Sequence, residues 1–171
     1  MKRLILILAL TLAAIGWEAC VPRYTLNGAS IDYSIYKTIS FGEFPIRAAL
    51  VYPPLQSMFE NRMTDMIAQQ TRLRVIDSNN ADLRMEGEIT NYQLSPQAVG
   101  EDAYASQTRL TISVKVKYTN NKNQALSKDL SFSAYRDFSS SELLVDVQDE
   151  LCDQISKDLA DLIFNATLGD W

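Results

Sequence analysis

Residues 109–118 alternate without a break. Leu110, Ile112, Val114, Val116 and Tyr118 are apolar, whereas Arg109, Thr111, Ser113, Lys115 and Lys117 are polar. Successive side chains of a strand point to opposite faces, so a period of two fixes a strand with one face for a core and one for water. A sheet built on such a strand must be covered on one side only. Two neighbouring runs repeat the pattern. Leu83, Met85, Gly87, Ile89 and Asn91 oppose Arg84, Glu86, Glu88, Thr90 and Tyr92. Leu130, Phe132 and Ala134 oppose Asp129, Ser131, Ser133 and Tyr135. Asn120-Asn121-Lys122-Asn123 is hairpin chemistry between the last two runs, and residues 94–107 read as a long polar connection between the first two.

Helical stripes supply the cover. Pro53-Pro54 opens a helix, with proline tolerated in its first turn. Leu55, Met58, Phe59, Arg62, Met66 and Ile67 form its face, interrupted by the arginine. The three methionines Met58, Met63 and Met66 read as core filling or as an adaptable binding face. Near the end of the chain, Leu144, Val147, Leu151, Ile155, Leu159, Leu162 and Ile163 keep a 3.6-residue stripe, with Ser139-Ser140-Ser141 as a candidate N-cap and Glu142 in the first turn. Cys152 flanks that stripe and reads as an inert thiol. Ile39-Ser40-Phe41 and Leu73–Ile76 add short strand candidates, the second ending in the turn cluster Asp77-Ser78-Asn79-Asn80. The expected fold is α+β: a two-layer sandwich with both helices on one face of a mainly antiparallel sheet of four to five strands.

The N-terminus carries an address. Met1-Lys2-Arg3 precedes an apolar run, Leu4 to Ile15, followed by Gly16-Trp17-Glu18-Ala19-Cys20. A helix of that length spans roughly 18 Å against the ~30 Å hydrocarbon core, so the segment reads as a removable signal. Cys20 directly after it fits a lipoprotein signal whose cysteine becomes the acylated N-terminus. Ordinary cleavage after Gly16 is the alternative and leaves Cys20 a plain thiol, able to pair with Cys152 in an oxidising compartment. The expected organisation is 1–19 signal, 20–37 extended leader and 38–171 a single domain. Composition narrows the function classes. With no histidine among 171 residues, Ser-His-Asp and Cys-His nucleophile pairs and histidine metal sites are out. Two cysteines cannot build a Cys₄ zinc site, and a net charge of -5 argues against a nucleic-acid binder. No catalytic residue, metal ligand or cofactor motif emerges.

Several stretches together resemble a known family: Pro53 through Gln69-Gln70-Thr71-Arg72-Leu73, then Glu86-Gly87-Glu88-Ile89-Thr90-Asn91-Tyr92 with Pro96, Arg109–Val114, Phe132–Phe138, and Ile163-Phe164-Asn165-Ala166 closing at Trp171. In that order, over about residues 20–171, the chain resembles LptE, the lipopolysaccharide-assembly lipoprotein, in its Bacteroidetes form. The resemblance implies a non-enzymatic lipoprotein of the outer membrane, on its periplasmic side and held by N-terminal acyl chains on Cys20. It also implies a partner, the LptD β-barrel, in which the chain would sit as a plug and help insert lipopolysaccharide into the outer leaflet. The rival reading is a free-standing periplasmic module that binds small lipids or other assembly factors.

Arg84, Arg109, Lys115 and Lys117 are the candidate lipopolysaccharide-binding residues, because cations on one strand face can hydrogen-bond lipid A phosphates. The competing reading is a solvated face whose charges include Glu86 and Glu88. Those two carboxylates read as solvated or salt-bridged side chains rather than an acid–base pair. The serines of 139–141 read as helix entry, since no base is available to activate one.

Overall fold

The computed structural model describes residues 31–97 and 106–169. Its five strands, β1 (Thr38–Phe41), β2 (Arg74–Val75), β3 (Leu83–Gln97), β4 (Gln107–Asn120) and β5 (Lys128–Ser139), form one sheet in the order β2-β1-β3-β4-β5. The helices are α1 (Pro54–Gln70) and α2 (Leu144–Phe164), the latter continued by a π-helical turn over Asn165–Gly169. The three period-two runs are the antiparallel β3, β4 and β5. β1 runs parallel to both β2 and β3, so the sheet is mixed; α1 returns the chain to the end at which β1 began, as a parallel connection requires.

Both helices cover the same face. Leu55, Phe59, Met63 and Ile67 of α1, and Leu151, Ile155, Leu159 and Ile163 of α2, pack with Ile39, Leu83, Met85, Ile89, Leu110, Ile112, Val114 and Val116 in one core. The helices run in the same direction: Tyr52 bonds Asp149 beside their N-termini, and Arg62 makes a bidentate ion pair with Asp153 at 2.6–2.8 Å farther along. Arg62 therefore does not interrupt the buried stripe. That stripe runs at steps of four through Met63, which is fully buried, while Met58 and Met66 are half-buried. Cys152 is fully buried, and burial pushes its thiol up to about 11, so it is the inert group expected. Cys20 and residues 1–30 lie outside the described residues. Residues 31–37, part of the expected leader, form a turn whose Ile31 belongs to the core and whose Tyr36 hydroxyl accepts from Asn120 Nδ2.

Four local expectations are corrected. First, the 94–107 connection is shorter, because β3 continues to Gln97 and pairs there with Gln107. Second, a bulge at Thr90 inserts one residue between the Ile89–Val114 and Asn91–Ser113 pairs and reverses the alternation. Tyr92, expected outside, is buried, and its hydroxyl accepts from Gln148 Nε2 at 2.6 Å; Asn91, expected inside, shares the outer face with Ser113. Third, α2 begins at Leu144 after an extended Leu143 with no side-chain cap; Ser139 ends β5, and Ser140–Ser141 form the turn. Fourth, Leu162 lies outside the core, and the buried stripe closes instead with Phe164 and Leu168.

Asp82 ties the start of β3 to the start of β1. Its carboxylate accepts from the backbone N–H of Lys37 and Thr38 at 2.8 and 3.0 Å and from Thr38 Oγ1 at 3.0 Å, and Lys122 Nζ stands 3.1 Å away. Burial alone would raise its pKa, but these donors outweigh it and hold the group down to about 2, below the usual 3.8. A depressed carboxylate contributes stability above its unfolded pKa and loses it as pH falls through the folded one. The stability difference between the parent and Asp82→Asn should therefore be full above about pH 5 and shrink towards pH 2. Urea titrations of both proteins across that range check it; a pH-independent difference would contradict the assignment.

Candidate functional site

The outer face of the sheet is the surface left free by the two helices. Its side chains come from the polar half of each alternation, and the registers set their neighbours. Glu86 stands opposite Lys117, Glu88 opposite Lys115, and Lys117 opposite Asp129. Arg84, next to Ser40 of β1, completes a charged cluster at one end of the face. Together with Gly42 and Glu43, which follow β1, this cluster lines an open depression of about 600 Å³.

Ion pairs neutralise much of the cluster. Arg84 donates through Nε and Nη2 to Glu86 Oε2 at 3.1 and 2.9 Å and also bonds Asn79; Lys117 Nζ stands 3.6 Å from Glu86 Oε1. The hydrogen bonds from Arg84 hold Glu86 below its usual pKa. Glu86 is thus a salt-bridged carboxylate, as the sequence suggested. Lys115 is exposed. An anion arriving here meets Lys115 and Lys117 first, with Arg84 already committed to Glu86.

Arg109 belongs to the same face but not to the same cluster. Six residues of strand separate it from Lys115, roughly 20 Å. It pairs instead with Asp137 of β5, at 2.7 and 2.9 Å through Nε and Nη2, and its guanidinium lies 3.7 Å over the Tyr135 ring. These bonds hold the Asp137 carboxyl below its usual range. Between the two ends the face carries neutral hydroxyl and amide groups, among them Asn91, Gln93, Thr111, Ser113, Ser131 and Ser133, with Ser113 Oγ donating to Ser133 Oγ at 3.1 Å. The structure therefore gathers Arg84, Lys115 and Lys117 and leaves Arg109 apart. Sequence alone does not connect Asp137 or Tyr135 with Arg109, although the β4–β5 hairpin brings both to it once its turn is known.

Residues 36–167 match a family profile described as LptE, lipopolysaccharide-assembly. A comparison with curated proteins found no match. Among solved structures, a minor lipoprotein from Acinetobacter baumannii is 14% identical, with 75% of this chain and 90% of that one aligned at a TM-score of 0.51. Lipoprotein B from Nitrosomonas europaea is 13% identical over 75% of this chain and 79% of that one, TM-score 0.48. The rare lipoprotein B from Shewanella oneidensis is 11% identical over 74% and 92%, TM-score 0.47. At its identity, the likeness to the Acinetobacter baumannii lipoprotein is one of fold.

Proposed function

The chain belongs to the LptE family of lipopolysaccharide-assembly proteins, and from that premise we propose that it works as a lipoprotein plug and scaffold for an LptD-type β-barrel in the outer membrane. Membership over residues 36–167 is the observation that carries this reading. Acylated Cys20 would hold the domain on the periplasmic side, several acyl chains giving stable attachment where one gives only marginal binding. The domain would act by contact, with no chemistry of its own, while lipopolysaccharide passes to the outer leaflet. Against a free-standing lipid carrier stands the interior. Among the described residues, the layer between helices and sheet is filled by side chains such as Phe44, Phe59, Met63 and Tyr118, each about 1% exposed or less, as in a close-packed interior and unlike a lipid-sized cavity. Lipid contact would fall on the surface, and Lys115 and Lys117 are its candidate phosphate ligands.

Purification in detergent from the native envelope tests the reading. A large β-barrel should co-elute with the chain, depletion of the chain should lower the amount of properly assembled barrel, and mass spectrometry should find an N-terminal lipopeptide beginning at Cys20. Loss of the chain with normal barrel assembly would sink the plug role. The double variant Lys115→Gln/Lys117→Gln should weaken lipopolysaccharide binding by about tenfold or more, since two charge-assisted contacts are lost. Its melting midpoint should hardly change, because both side chains are exposed. Unchanged binding by the folded variant would return this cluster to an ordinary solvated surface.

A further inference from the structure

Leu162 is the position of the α2 stripe left in solvent, 44% exposed. It borders a groove of about 660 Å³ between α2 and β5, lined also by Ala134, Tyr135, Arg136, Asp158 and Asp161. β5 is the last strand on its side of the sheet, and among the described residues none pairs with its outer edge. Every second residue of such a strand turns its N–H and C=O outward. The inward side chains are incomplete in the same place: Leu130 and Phe132 of β5 are only half-buried, while Leu110, Ile112, Val114 and Val116 on the neighbouring β4 are fully buried. Edges are ordinarily blunted by proline, a bulge or charge. β5 has no proline, and Leu130 to Tyr135 contain no charged residue.

We infer that the outer edge of β5 receives an extended strand from the partner protein, with apolar residues at alternate positions and a basic residue over the acidic end of the groove; this rests on the barrel-partner reading above. The backbone edge supplies the hydrogen bonds, and the groove supplies selectivity for side chains. Inward side chains of the added strand complete the burial of Leu130, Phe132 and Leu162. Of the groove's carboxylates, Asp158 is engaged by Arg136 at 2.5 Å and Asp137 by Arg109 at 2.7 Å, so a cation at the helix side meets Asp161. A second copy of this chain meets like charges in the two registers that overlap most of the uncharged run. Antiparallel self-pairing centred on Phe132 sets Lys128 against Arg136, and centred on Ser133 it sets Asp129 against Asp137. Like charges directly opposite destabilise a strand pair.

Hydrogen exchange on the full mature chain, alone and in its detergent-purified barrel complex, tests the inference. Exchange across residues 128–139 should slow about tenfold or more in the complex. Leu162→Lys, at an exposed position, should leave the melting midpoint of the free chain unchanged and lower recovery of the barrel about tenfold. Gln93→Lys, exposed on the other face of the sheet, should leave recovery as it was. A recovered complex with unchanged exchange over 128–139 would overturn the strand addition alone. So would full protection of that segment in the free chain, which would mean that its own leader or a second copy already occupies the edge. Recovery of no barrel by the parent chain would overturn this inference together with the reading beneath it.

Discussion

Val114→Asp should destabilise the domain by about 4 kcal/mol or more, whereas Ser113→Asp, one residue away, should change stability by only about 0.5 kcal/mol. Val114 is 1% exposed beneath the helices, with Ile89 and Phe132 as its cross-strand neighbours. An aspartate there loses its hydration and gains no partner, or takes up a proton at a comparable cost. Ser113 faces outward across from Ser133, where an added carboxylate remains in water. Urea unfolding of both variants measures the contrast. Equal sensitivity at the two positions would mean that β4 sits in a different register.

Gly87→Ala should cost about 3 kcal/mol, although it adds a single methyl group. A Cβ at this position would stand 2.1 Å from the carbonyl oxygen of Lys115 and 2.7 Å from Cε1 of Phe44. The Phe44 ring, 1% exposed, reaches this spot from the segment after β1 and meets Phe59 of α1 edge to face at 5.1 Å. Trimming Phe44 to alanine in the same chain should not rescue stability, because the tighter contact is with backbone of the paired strand. A double variant Gly87→Ala/Phe44→Ala as stable as Phe44→Ala alone would show that the ring, and not the β3–β4 spacing, demands glycine. The backbone conformation is ordinary for any residue at this position, so the requirement is for space.

Much of this architecture was legible in the chain. The alternation of 109–118 carried over residue for residue into β4, because a period of two is a property of the extended backbone itself. The bulge in β3 also left a trace. Apolar residues occupy 83, 85 and 89 and then 92 and 94, a step of three where two was due, and that step marks the extra residue. Arg109 illustrates the limit. Its membership of the polar face was readable, but its distance from Lys115 and its partnership with Asp137 depend on how far each strand runs and where the hairpin turns. The turn used Asn120, whose Oδ1 accepts from the backbone of Lys122 and Asn123 at 3.0 and 2.8 Å. With that turn fixed, each step back along β4 meets one step forward along β5.

The sequence by itself determined the elements and, outside the β3 bulge and Leu162, the face each one buries, because periodicity and turn chemistry act locally. Tertiary structure alone decided three things. Parallel pairing of β1 with β2 and β3 depends on where α1 sets the chain down, which no local pattern encodes. Ion pairing divided the cations of the outer face, since Arg84 and Arg109 found carboxylates on neighbouring positions of the sheet while Lys115 stayed in solvent. Leu162 carries the periodicity of a core residue yet lies open beside β5. A stripe on a helix records which side chains avoid water, but whether something is there to cover them depends on how far the sheet extends beneath, and among the described residues this sheet ends at β5.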